Sequence, residues 1–132
     1  MLSRFNVRTG ERSELINITR QVQDAVDTSG MKSGLCQVYI SHTTAGVTIN
    51  ENADPDVKTD MIAILEKLVP WRDGYRHMEG NSAAHLKSSM MGFSVSVPID
   101  GGNLVLGTWQ SIYFCEFDGP RTRNVYVNII GG

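Results

Sequence analysis

Cysteine is scarce in this chain of 132 residues: Cys36 and Cys115 are the only two, and they stand far apart. That speaks against a disulfide framework and leaves no Cys-x-x-Cys pair for redox work or zinc. The expectation is two reduced, buried thiols. Long apolar runs are also missing. Nothing approaches the roughly 18 apolar residues of a membrane span. Met1–Gly10, which carries Arg4 and Arg8, has none of the apolar run of a secretory signal. A cytoplasmic protein without a membrane partner is expected. Charge of one sign is not in excess either, since 12 Lys and Arg face 14 Asp and Glu for a net charge of −2. A nonspecific nucleic-acid binder needs a basic surface, so no nucleic-acid partner is expected, although a local basic pocket stays open. There is no Walker loop, dinucleotide fingerprint or Ser-His-Asp order, which argues against P-loop hydrolysis and Rossmann redox chemistry.

What is present reads as one domain over 1–132. Apolar residues make up 41% and charged residues 20%, with no repeat, low-complexity tract or linker. Leu15–Ile18 reads as a short strand, with Thr19 placed to cap a following helix that carries Val22, Ala25 and Val26 on one face and ends at Ser29-Gly30. Leu35 to Ser41 alternates as a strand, and Gly46–Asn50 reads as another after a bend. Asp54-Pro55 marks a helix start, followed by the apolar stripe Val57, Met61, Ile64, Leu65 and Leu68, with Pro70 as the stop. Asn81 or Ser82 can cap a helix to about Met91. Period-two strands follow over Ser94–Ile99, a glycine turn at Asp100–Asn103, a return strand from Leu104 that continues over Trp109–Phe117 past a bulge near Gly107, a turn at Asp118-Gly119-Pro120, and a last strand over Arg123–Ile130. Hairpin-linked strands with interspersed helices predict an α+β fold: a compact single domain with a mainly antiparallel sheet and about three helices.

All three histidines lie in two short polar stretches, Ser41-His42-Thr43-Thr44 and His77–His85. Imidazole is the side chain suited to proton transfer near neutral pH and to divalent metals. His42, His77 and His85 are therefore candidates both for catalysis and, if they converge, for Zn²⁺ or a similar ion with an open position. Their spacing alone is no tight metal motif, and a histidine satisfied at a strand corner reads the same way. Thr43 and Thr44 follow His42 where hydroxyls and a glycine can hold an anion. Asn81 and Ser82, at a helix start, could offer free amides to a phosphate, with Lys87 adding charge. Glu51 could serve as a carboxylate base; the bland alternative is a turn before the next helix. Trp109 beside Gln110 could stack on a flat ring and hydrogen-bond its edge, and a core tryptophan has the same signature. Arg121 and Arg123 share a strand face and could grip a phosphate, or form salt bridges within a hairpin.

Taken together, Ser41–Gly46, Asn50-Glu51-Asn52, His77–Asn81 with Ala84-His85 and Lys87, Gly107–Gln110, and Glu116 with Asp118–Arg121 resemble the YjbQ family across essentially the whole chain. The resemblance implies a compact α+β homotrimer, a polar site built on His42, His77 and His85 near a subunit boundary, and a weak thiamin-phosphate-synthase activity that joins a pyrimidine diphosphate to a thiazole phosphate. A small phosphorylated metabolite would then be the partner, and a divalent metal, Zn or Mg, a candidate cofactor. Two other classes compete with this transferase: a metal- or phosphometabolite-binding protein without turnover, and a metal-dependent hydrolase using Glu51 or Glu79 as base.

Overall fold

The computed structural model describes residues 1–132. In chain order the elements are β1 (Leu2–Arg8), β2 (Glu14–Asn17), α1 (Thr19–Ser29), β3 (Ser33–Tyr39), β4 (Ala45–Glu51), α2 (Pro55–Leu68), α3 (Ser82–Met91), β5 (Ser94–Asp100), β6 (Asn103–Leu104), β7 (Gln110–Glu116) and β8 (Thr122–Gly131). Every strand pair is antiparallel, in a five-stranded sheet ordered β1-β8-β3-β5-β6 and a three-stranded sheet ordered β2-β7-β4. With three helices beside them, this is the α+β class expected from the hairpins. No helix is long and apolar enough to cross a membrane.

The alternation of each strand decides the layering. From the five-stranded sheet, Val7, Cys36, Val38, Val97, Ile99, Val125, Val127 and Ile129 turn inward. They meet Ala45, Val47, Ile112 and Phe114 of the three-stranded sheet and Val22 and Val26 of α1. The middle strand β7 is buried on both faces: its odd-numbered residues Tyr113 and Cys115 pack on the other side against Ala84, Met61, Leu65 and Met91 of the helices. The order is therefore large sheet, small sheet, helices, with α1 beside the first interface.

Local chemistry explains the element boundaries. Asp54 caps α2 as expected, its carboxylate accepting the Asp56 N–H at 2.9 Å, and Pro55 is the first helical residue. Gly30 closes α1 in the left-handed conformation, φ +70°. Thr19 does not cap α1: Ile18 holds the cap position, and the Thr19 hydroxyl accepts the Ile112 N–H at 2.8 Å, pinning the helix to β7. The strand expected to run on from Leu104 breaks instead. β6 ends at Leu104 on the large sheet, and β7 starts at Gln110 as the centre of the small one, so residues 105–109 carry the chain between layers. Strand β1 is an addition to the expected elements, pairing along β8 from Leu2↔Asn128 to Arg8↔Thr122.

Gly46 brings α3 onto β4. The Val47 N–H donates to Gly92 O at 3.1 Å. A Cβ at position 46 would stand 2.6 Å from that oxygen, closer than van der Waals contact allows.

Candidate functional site

Three connections meet at one end of the two sheets. The first, after β3, carries Ser41, His42, Thr43 and Thr44 into β4. The second is the turn 77–80 with the start of α3, which brings Glu79, Asn81 and His85. The third is the β7–β8 turn with its flanks, Glu116 to Arg123. They enclose a cleft of about 310 Å³ with no apolar residue in its lining. His42, Thr43, Thr44, Asn81, His85, Arg121 and Arg123, all singled out from the sequence, line it, and Ser41, Glu79 and Asp118 join them.

The floor is a buried ion pair. Glu116 is fully buried and accepts from Thr9 Oγ1 and Arg123 Nε at 2.8 Å, from Phe117 N and Asp118 N at 3.1 Å, and from Arg123 Nη2. Arg123 Nη2 also donates to Thr44 Oγ1 at 2.9 Å. Such a charge pair is tolerable in the interior because its oxygens are saturated with donors. Arg123 Nη1 has no protein partner, yet it is not sealed from solvent, which leaves one donor of a buried cation at the cleft. Gly119 is required beneath: a Cβ there would come within 2.8 Å of Thr9 Oγ1 and 2.9 Å of Glu116 Cγ.

Asp118 links the other two sides. It accepts Asn81 Nδ2 at 2.8 Å and Arg121 Nη2 at 3.0 Å. Asn81 Nδ2 also donates to Glu79 at 2.9 Å. Two carboxylates on one amide nitrogen fix which end of the Asn81 side chain is nitrogen. Asn81 is only 4% exposed, and its Oδ1 is the one buried side-chain oxygen or nitrogen in the protein with no hydrogen-bond partner. Asn81 holds the cap position of α3 without capping it by its side chain, which is how the amide comes to serve the cleft instead.

His42 is set by its backbone neighbour. The Asn124 N–H donates to His42 Nε2 at 2.9 Å. A nitrogen that accepts carries no proton, so the neutral ring bears its hydrogen on Nδ1. Burial first, and then the charge of Arg123, hold the His42 pKa below its ordinary value. His42 is thereby a neutral Nδ1–H donor. In this arrangement it is neither a base nor a metal ligand, because the lone pair either role needs is engaged. His77 stands edge-on to His85, with ring centres 5.4 Å apart and planes at 84°. No group of three His, Cys, Asp or Glu side chains in the chain is placed to hold a metal ion. The residues present therefore do not fit the expected three-histidine metal site.

Besides His77, which stands beside His85 without lining the cleft, five expected participants lie elsewhere. Lys87 is buried, but its ammonium faces Glu66 on α2 at 2.6 Å, because position 87 falls on the α2-facing side of α3; it is a strut, not a phosphate ligand. Glu51 and Gln110 pair with each other at the far end of the small sheet. Six residues along β4 separate Glu51 from Ala45 beside the cleft, about 20 Å at strand rise. Trp109 sits next to that far end and is 62% exposed. Ser82 follows the cap but does not line the cleft. The thiols stay out of the chemistry: both are free and buried, with burial raising Cys36 to about 11 and Cys115 further.

The model of the family described as UPF0047 protein YjbQ-like matches residues 3–132. The UPF0047 protein YugU of Bacillus subtilis is 53% identical, over 99% of this chain and 100% of its own length. A UPF0047 protein of Methanocaldococcus jannaschii is 50% identical, over 99% of this chain and 95% of its own. Among solved structures, an uncharacterised yjbq/upf0047 family protein of Clostridium acetobutylicum superposes with a TM-score of 0.95 at 52% identity, covering 97% of this chain and 99% of that one. A hypothetical protein of Aeropyrum pernix K1 gives the same TM-score at 36% identity, covering 100% and 99%.

Proposed function

The chain belongs to the YjbQ-like UPF0047 family, and from that premise we propose that its polar cleft is a transferase site for small phosphorylated heterocycles, of the thiamin-phosphate-synthase type. The observation that carries the reading is the orphan Oδ1 of Asn81 in the wall of a wholly polar cleft. An unpartnered buried acceptor costs about 1–3 kcal/mol, which an N–H of a bound molecule would recover once a shift of the Asn81 side chain brought its sealed oxygen into the cleft. An aminopyrimidine brings such an N–H. Opposite it stand donors suited to a phosphate arm: Arg123 Nη1, His42 Nδ1–H, the Thr43 hydroxyl and the half-exposed Arg121.

In the reaction proposed, the thiazole nitrogen attacks the methylene carbon that bears the diphosphate. A C–N bond forms, the C–O bond breaks, and its electron pair leaves with the diphosphate. The group has to stabilise charge growing on the leaving oxygens. Arg123 and neutral His42 do this as fixed donors, and His85, in the same lining, is the imidazole that gives a proton to the departing diphosphate oxygen. A divalent ion enters this reading as Mg²⁺ carried in on the diphosphate, not as a resident ion on three histidines. A homotrimer belongs to the same proposal: Glu51, Trp109 and Gln110 can approach a cleft only from a neighbouring copy. Sedimentation at micromolar concentration checks it, and a stable monomer would remove those three residues from the site.

The test supplies the aminopyrimidine diphosphate, the thiazole phosphate and Mg²⁺ to the purified protein and to His85→Gln. Diphosphate and thiamin phosphate formed in equal amounts, with at least a tenfold loss in the folded variant, is the expected result. Diphosphate or phosphate released without the joined product would make the protein a hydrolase. Binding without turnover would make it a binding protein. Either outcome overturns the transferase.

A further inference from the structure

The connection between α2 and α3 holds a second cleft that the site description leaves unused. It folds back on itself through a 2.6 Å hydrogen bond from the Tyr75 hydroxyl to Pro70 O. Gly74 and Gly80 take positive φ of 70° and 78°, and the Gly80 N–H closes a turn on His77 O at 3.0 Å. The cleft inside measures about 350 Å³ and is bordered by Trp71, Arg72, Asp73, Tyr75 and Glu79. Glu79 borders the polar cleft as well, so the two share one carboxylate as a wall.

Trp71 is well held for a loop residue. The Arg12 guanidinium lies 4.3 Å from its ring centre, and the ring packs against the cluster of Leu15, Tyr113, Cys115 and Phe117. Its remaining surface borders the cleft together with Tyr75. Two aromatic side chains, one of them clamped, offer a planar ring a stacking site with little ordering left to do. Glu79 supplies a carboxylate acceptor beside them. That pattern suits the edge of a ring carrying an amino group.

We propose that the Trp71–Tyr75 cleft is the ring subsite of this protein, receiving the planar amino-heterocycle of a ligand whose phosphorylated arm lies in the cleft of His42 and Arg123. The inference rests on the phosphometabolite reading above and assigns the stacking role to Trp71, not Trp109. The two clefts, of about 350 and 310 Å³, adjoin at Glu79, and a ligand of this kind would reach past that carboxylate to use both.

The chain has two tryptophans, so single substitutions separate their signals. Trp109→Phe, which keeps Trp71, and Trp71→Phe, which keeps Trp109, are titrated with the aminopyrimidine diphosphate, and binding is followed in parallel by calorimetry. Inorganic diphosphate is the second probe. The expected result is a saturable fluorescence change in Trp109→Phe, none in Trp71→Phe, and an affinity of Trp71→Phe for the aminopyrimidine diphosphate about tenfold weaker. Inorganic diphosphate should bind both variants as it binds the parent. Should Trp71→Phe misfold, Tyr75→Leu tests the same loss. Calorimetric binding with a silent Trp71 and unchanged affinities would overturn the ring subsite and leave the polar cleft standing. If neither probe binds the parent, the phosphometabolite reading falls, and the subsite with it.

Discussion

The two faces of the small sheet are packed very differently. Toward the large sheet and α1, sixteen fully buried apolar residues form one cluster; toward α2 and α3, only five do. Helix α2 buries none of its fourteen residues completely, and Ile64 and Leu68 on its apolar stripe stay more than half exposed. The thick side is frame. The site lies where frame and thin side join: His42, Arg121 and Arg123 hang on the strands of the frame, while Asn81, His85 and the Trp71–Tyr75 loop hang on the helical layer. A site divided this way has rigid charges on one wall and adjustable groups on the other.

The comparison breaks first at Glu116. Glu116→Ala leaves Arg123 buried and uncompensated, and is expected to cost about 3–5 kcal/mol in urea unfolding. A loss under about 1 kcal/mol would show that the ion pair is not what ties the β7–β8 turn to the frame. Next, Phe114→Ala on the thick side should cost about 3–5 kcal/mol through the cavity it leaves. Leu65→Ala on the thin side should cost only about 1–2 kcal/mol, since a half-buried side chain loses mainly transfer energy. Equal losses would erase the distinction between the layers. At the join, Asn81→Ala should weaken binding of the aminopyrimidine diphosphate by about tenfold, read by calorimetry. Unchanged affinity would separate the orphan oxygen from ligand recognition.

Smaller effects sharpen the picture. Lys87→Met should change stability little, because a buried ion pair is replaced by a side chain of similar volume, and it should leave ligand affinity alone. A lost affinity would return Lys87 to the site. The last effect depends on pH. The fold favours neutral His42, so its folded pKa lies below the value of about 6.5 in the unfolded chain. As pH falls through about 6.5, the unfolded chain takes up the proton first. The contribution of His42 is therefore complete above that pH and is lost as the solution becomes more acidic. Stability measured against pH should be flatter at the acid end in His42→Gln than in the parent; parallel profiles would sink the neutral-donor assignment.

Much of this was legible in the sequence wherever one residue's chemistry decides the outcome. Asp54-Pro55 and its stripe gave α2, and Gly30 gave the end of α1. The polar stretches holding His42 and His85 did converge. Strand β1 was not legible because its inward side offers only Ser3, Phe5 and Val7 between Arg4, Asn6 and Arg8, too weak an alternation to stand out. The change of sheet after Leu104 depends on packing between layers and leaves no local mark. The same limit explains the site residues that proved remote. Glu51, Trp109 and Gln110 sit in polar surroundings like those of the true lining, and only strand length separates them from it. Lys87 was misassigned because periodicity tells that a helix has faces, not which neighbour each one meets. Trp71 went unnoticed because Pro70 and Asp73-Gly74 around it read only as a helix stop and a turn, although its position just past Pro70, at the end of a helix, could have marked it.

One missing methyl group calibrates the distance across the cleft. At Gly46 the helix that carries Asn81 and His85 rests directly on the backbone of the strand leaving Thr44. The contact works as a mechanical stop. It sets how far one wall of the cleft stands from the other, and so whether the Asn81 amide can still span the 2.8 Å to Asp118. An alanine there would act as a shim, opening the jaw from its hinge end without touching any residue inside it.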